Sequence, residues 1–199
     1  MEIHNKYSSI EDWLNSQANY WCQGSGSTSD GWFWILGEEM IALVESWIDE
    51  VNEAHKNDRR PCSVLQNRFK DYFRPELLQS SYFVIVKVLP MPKMPELREA
   101  GLGDFMDNED QLGGITYKDT YYLVPDAAGD VGIHFHELVH VIQWRTLGTR
   151  NFIQRYMEEI QRFGYSEKAP LEQMAYGLQK TFEEGVVPFD VEKKVVATL

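Results

Sequence analysis

The chain has 199 residues, of which 43% are hydrophobic and 13% aromatic, a balance that suits one folded domain with a proper core and excludes a disordered chain. Its 19 Lys and Arg stand against 31 Asp and Glu, a formal net charge of −12, which opposes binding to nucleic acid or anionic membranes and weakly favours cationic partners. The longest apolar runs, 32–36 and 82–89, fall far short of the ~20 residues that span a bilayer, and the opening Met1-Glu2-Ile3-His4-Asn5-Lys6 lacks the basic-then-apolar pattern of a secretory signal; the expectation is a cytoplasmic protein with neither nucleic-acid nor membrane partners.

Ser8-Ser9-Ile10-Glu11 has the form of a capping box and predicts a helix to about Tyr20, within an N-terminal helical extension over residues 1–23. Residues 24–31, rich in Gly and Ser, predict a loop or linker ahead of a core at 32–199. The whole reads as a single domain. Residues 38–56 place Ile41, Val44, Ile48 and Val51, with Met40 and Trp47, on one helical face. A second helix is predicted over 63–79, kinked or interrupted at Pro75. Residues 81–89, rich in β-branched and aromatic side chains, predict a strand followed by a proline-dense turn at 90–95. The acidic, glycine-containing stretch 101–114 predicts a surface loop, and 115–124 a second strand ended by Pro125 and Asp126. The two cysteines, Cys22 and Cys62, form no C-x-x-C pair and are expected as free thiols.

Asp130 is the predicted N-cap of a helix that carries His136-Glu137-Leu138-Val139-His140. This is H-E-x-x-H, the sequence form of a helical zinc site. Residues four apart differ by about 40° around a helix, so both imidazoles can reach one ion. Glu137, rotated roughly 60° from His140, stays on that side and is better placed for a water than for the metal. A chain of this length carries the pattern by chance on the order of once in a hundred sequences, so context decides. Val131, Phe135, Leu138, Val139 and Ile142 form a core-facing stripe, while Ile133, Val141 and Trp144 share the histidine side. A helix apolar nearly all round is buried or lines a cleft, and leaving its polar groups unpaired there costs roughly 2–7 kcal/mol each.

Downstream, Phe152, Ile153, Tyr156, Ile160 and Phe163 predict a helix stopped by Gly164. Pro170 opens another as its first residue, with Leu171, Ala175, Leu178 and Phe182 facing the core and Gly185 ending it. The fold class is α+β, mainly helical, with a small sheet ahead of the H-E-x-x-H helix. A catalytic zinc usually takes three protein ligands and keeps one open position. His134 diverges from His136 by about 160°, which suits a packed or supporting role, and His4 and His55 have no supporting context. Glu172, on the first turn of the Pro170 helix, is the best candidate. Its alternative is an ordinary first-turn glutamate favoured by the helix dipole, and Glu183, Glu184 and Asp190 are further options for the ligand.

His136-Glu137-x-x-His140 with a helical Glu172 downstream resembles the gluzincin type of zinc metallopeptidase. The run 115–176 is similar to small bacterial zincin-like domains, with a strand, a short loop, the His-Glu-x-x-His helix and a later Pro-x-Glu helix. The resemblance covers roughly the last half of the chain. It implies one Zn²⁺ held by His136, His140 and Glu172, with Glu137 as general base acting on peptide or protein substrates. Gluzincins often carry an Asp four residues after the ligand Glu, and Tyr176 stands there instead. Gln143 and Thr146 occupy the positions where another zincin type has its Gly and third His, and Asn151 stands where a third type has its Asp.

Hydrolysis on this plan needs a donor for the developing oxyanion, for which Tyr165, Tyr176 and His134 are candidates. The strand at 115–124 could hold an extended peptide along its edge. The competing expectation is a catalytically weak or inactive zincin-like protein, acting as an interaction module or as a narrow-target effector.

Overall fold

A computed structural model describes residues 37–199 apart from 108, 165, 167 and 186. The helix expected at 8–20, the loop expected at 24–31, Cys22 and Tyr165 lie outside the described residues.

Helix α1 (Glu38–Ala54) buries Ile41, Val44 and Ile48 along the predicted face, and with them Asn52. The cost of burying that amide is offset by two hydrogen bonds, to the Tyr117 carbonyl at 3.1 Å and from the Tyr122 hydroxyl at 2.7 Å, which tie α1 to the sheet. A short strand β1 (Arg60–Pro61) follows, then a 3-10 turn (Cys62–Leu65). The expected long helix at 63–79 shrinks to α2 (Pro75–Gln79), with Pro75 as its first residue. Arg74 is extended, at φ −68° and ψ 144°, as proline demands of the residue before it. Upstream, Phe69 and Phe73 turn inward against Phe135 instead of lying along a helix.

Among the described residues the sheet has four strands, in the order β1-β2-β4-β3. β2 is Tyr82–Ile85, shorter than the predicted 81–89. The predicted strand 115–124 is a hairpin of two strands, β3 (Gly114–Tyr117) and β4 (Thr120–Leu123). Tyr117 pairs with Thr120 across a turn of Lys118 and Asp119, where Lys118 takes φ 61°. Lys-Asp is not among the Asn-Gly or Asp-Gly pairs that usually announce such a turn, so the apolar run conceals it. β4 then runs parallel to β2, Tyr82 opposite Thr120.

The stretch 101–114, expected as a surface loop, is largely helical. α3 (Pro95–Leu97) passes through a wide turn (Arg98–Leu102) into α4 (Gly103–Asp107), with Gly101 at φ 83°. Leu102 and Met106 are buried, and they make the segment part of the core despite its acidic surface.

Helix α5 (Val131–Leu147) is the central rod: every residue from His134 to Trp144 is buried. On one side Phe135, Leu138, Val139, Val141 and Ile142 join a core with Phe69, Phe73 and the later helices. On the other, Trp144 joins a core under α1 and α6 (Thr149–Phe163). α7 (Pro170–Glu183) lies along α5 and ends near Gly185, which has φ 68°. A final helix, α8 (Val191–Thr198), buries Val191 and Val195 and was not expected from the sequence. The class is α+β, as predicted, with the sheet preceding α5.

Candidate metal centre

Two helix starts set the geometry. Asp130 caps α5, its carboxylate accepting from the amides of Gly132 at 2.8 Å and Ile133 at 3.4 Å. Pro170 starts α7, so Glu172 stands on its first turn and projects toward α5. The Glu159 carboxylate on α6 accepts from the Leu171 amide at 2.7 Å, satisfying one of the donors that a helix start leaves open.

These supports bring together the three side chains singled out from the sequence. His136 Nε2 and His140 Nε2 are 3.0 Å apart. The Glu172 carboxylate completes the group, Oε2 lying 3.3 Å from His136 Nε2 and Oε1 3.4 Å from His140 Nε2. The three residues are 6, 5 and 1% exposed. A tetrahedral ion with bonds of about 2.0–2.1 Å to nitrogen and oxygen separates its ligand atoms by about 3.3–3.4 Å, so these spacings are close to the edges of such a tetrahedron. Among the described residues this is the one group of three or more His, Cys, Asp or Glu that could hold a metal ion.

The hydrogen-bond pattern supports the same conclusion. His136 Nδ1 faces Gln179 Oε1 at 3.2 Å, and His140 Nδ1 faces Gln143 Oε1 at 2.8 Å. An amide oxygen only accepts, so a hydrogen bond at either contact requires the proton on Nδ1. On neutral rings both Nε2 atoms are then bare lone pairs pointing at each other and at a carboxylate. Glu172 Oε2 is buried without a hydrogen-bond donor. Such a group repels itself unless a proton or a cation lies within it. Burial disfavours charge on both His140 and Glu172, yet each holds the other charged: the His140 pKa rises to about 9 and the Glu172 carboxyl falls well below the usual carboxylate range. A divalent ion can take the place of that proton. The donor set, two imidazole nitrogens and one carboxylate, fits zinc and also suits other first-row metals.

Glu137 is held differently. Its Oε2 accepts from Thr116 Oγ1 at 2.6 Å. Burial raises its pKa above the ordinary value, opposed by positive charge on His136 and His140 and by the Thr116 bond. Gly114 makes the room: a Cβ there would lie 2.7 Å from Glu137 Oε1. Tyr156 donates to Glu172 Oε1 at 2.8 Å.

The other candidates fall elsewhere. His134 is packed away from the centre: its Nε2–H meets the Ala128 carbonyl at 3.1 Å and its Nδ1 accepts from the Tyr121 hydroxyl at 2.7 Å. Cys62 donates to that hydroxyl at 3.5 Å and is a free, fully buried thiol whose pKa burial pushes up to about 12. Asp190 caps α8 through the Lys193 amide, Glu183 accepts from Gln179, and Glu184 pairs with Lys180; none of the three belongs to the ligand group. Tyr176 lies beside the centre, its ring centroid 4.4 Å from that of His136.

A small cleft, partly open to solvent, adjoins Glu137, His140 and Glu172. Its wall is apolar, with Val44 and Trp47 from α1 and Phe152 and Met157 from α6. Trp144, Phe152 and Tyr156 stack in sequence along it, at centroid distances of 3.9 and 5.5 Å. Among the described residues β3 is the outer strand of the sheet beside this cleft. Because Tyr117 and Thr120 flank a two-residue turn, alternation points the backbone groups of Gly114 and Thr116 away from β4. The Thr116 carbonyl already accepts from Trp144 Nε1 at 3.1 Å.

Thr116, Gln143, Tyr156 and Gln179 were not foreseen as parts of the site. Gln143 and Gln179 lie three and seven residues beyond His140 and Glu172, one and two turns along the same helix faces, so helical spacing was the available signal. Thr116 and Tyr156 come from other elements and carry no local signature. Comparisons with protein-family models, with curated proteins and with solved structures find no match.

Proposed function

We propose that the protein is a metal-dependent peptidase, with zinc as the metal and peptide or protein chains as substrate. The observation that carries this reading is the pairing of a three-ligand group with a separately held carboxylate: His136, His140 and Glu172 converge while Glu137 is tied to Thr116 beside them. A bound zinc would supply Lewis acidity, polarising the scissile carbonyl and making a water acidic enough to give up a proton near neutral pH.

The protein's own groups do the rest. Glu137 accepts the proton of the attacking water and delivers it to the leaving amine as the C–N bond breaks, so that amide and water become carboxylate and amine. Thr116 keeps the carboxylate aimed as its charge changes. Gly114 and the outward N–H of Thr116 offer a short peptide edge along β3, and the apolar cleft favours an uncharged side chain next to the scissile bond, because a charge placed there would lose its hydration without a partner. Tyr176, beside His136, is the described candidate for the oxyanion donor.

The test is a mixed peptide library incubated with zinc-loaded protein and read by mass spectrometry. Cleavage by the wild type that disappears in Glu137→Gln, at unchanged zinc content, is the expected result. Equal cleavage by the two proteins, or none by either, would remove the peptidase reading.

A further inference from the structure

Glutamine is an unusual brace for a metal-binding histidine, since a carboxylate or a backbone carbonyl more often accepts the proton of the second ring nitrogen. Here two glutamines do so, and each is oriented by a second bond. Gln143 Nε2 donates to the Leu171 carbonyl at 3.0 Å, which leaves its oxygen no choice but to face His140 Nδ1, 2.8 Å away. Gln179 Nε2 donates to Glu183 Oε1 at 2.8 Å, which turns its oxygen to His136 Nδ1 at 3.2 Å. A carboxylate at position 143 could brace the ring but would set its other oxygen against the Leu171 carbonyl. Only an amide serves both partners. Gln143 is fully buried, where an unpaired lone pair or N–H is costly.

Both braces also reach α7, the helix that carries Glu172. Gln143 bonds the backbone of the residue just before Glu172, and Gln179 belongs to α7 itself. The two rings on α5 are thus oriented by the same helix that supplies the third ligand, and correct docking of α7 sets all three ligands at once.

We propose that Gln143 and Gln179 are positioning residues that hold His140 and His136 as Nδ1–H tautomers, leaving both Nε2 lone pairs for the metal while adding no negative charge to the centre. This rests on the metal-site reading, although its two halves are separately measurable.

The experiment joins ring-nitrogen NMR on histidine-labelled protein to zinc affinity from chelator competition. On deprotonated rings in zinc-free wild type at pH 10, His136 and His140 are expected to carry their proton on Nδ1. Gln143→Met and Gln179→Met, which keep length and lose the acceptor, are expected to weaken zinc binding by about 10- to 100-fold and to release protons onto Nε2. Gln179→Glu keeps the acceptor but loses the donor to Glu183 and adds a charge, and is expected to keep the Nδ1–H tautomer of His136. Protons found on Nε2 in wild type would overturn the proposal, as would folded Met variants with unchanged affinity and tautomer. If wild type shows the Nδ1–H tautomers and takes up no zinc, the bracing stands and the metal reading falls.

Discussion

Thr116 is the single side chain that most directly sets the proposed base. Its hydroxyl donates to Glu137 Oε2 at 2.6 Å, and a hydrogen bond to a charged group contributes about 1.5–3 kcal/mol. Thr116→Val has nearly the same shape and no donor. Its zinc content should equal that of the wild type while kcat falls by about 10- to 100-fold, measured on any peptide the library yields. A variant with full kcat would mean that Glu137 needs no holding. At this scale the sequence was highly informative where chemistry repeats along one helix. His136, Glu137 and His140 could be read from spacing alone. Glu172 came from its place at a helix start, and the structure brings it to the other two. Thr116 and Tyr156 could not be read, because a hydroxyl on a strand or helix acquires its partner only through tertiary packing.

Among the elements, the docking of α7 on α5 and α6 matters most. Glu159 on α6 holds the start of α7 through the Leu171 amide and also accepts from Arg155 at 3.2 Å. Burial nevertheless dominates and raises its pKa from 4.5 to about 7, against the pull of the Leu171 amide and Arg155. The folded protein therefore keeps this proton more tightly than the unfolded chain. The contribution to stability is fully present below about pH 4.5 and is lost as pH rises through about 7, a change of up to roughly 3 kcal/mol. Glu159→Gln retains an acceptor for Leu171 and does not ionise. Denaturant unfolding from pH 4.5 to 8 should show stability falling more steeply in wild type than in this variant; parallel curves would contradict the account. The helices α1, α5, α6 and α7 were readable because each carries apolar residues at helical spacing, and α5 and α7 also open on an Asp cap and a proline. The β3–β4 hairpin was not, since its turn lacks the usual residues. α8 was not either, because eight residues with two buried valines give too short a period to stand out.

For the whole molecule, the ion would join α5 and α7 across the core and so act as a cross-link in the folded state alone. Binding to the native state adds RT ln(1 + [L]/Kd), about 2.7 kcal/mol at a hundred times Kd. For a chain of this size each kcal/mol is worth about 2–4 °C. Thermal unfolding with zinc at that excess should therefore lie about 5–10 °C above unfolding in chelator, and the increment should vanish in Glu172→Ala. The α+β class and the place of the sheet ahead of α5 followed from the order of apolar patterns along the chain. No helix among the described residues is long and apolar enough to cross a membrane. The cleft could not be foreseen, because its walls come from α1, β3 and α6, which are remote in sequence and meet only in the fold.

The central claim is that His136, His140 and Glu172 form one metal site, and metal content tests it most directly. Wild type and Glu172→Ala, purified without added metal or a histidine tag, are compared by elemental analysis. About one zinc per chain in wild type, largely lost in the variant, is the predicted result. Wild type that takes up no metal even when zinc is supplied, or a variant that keeps its zinc, would contradict it.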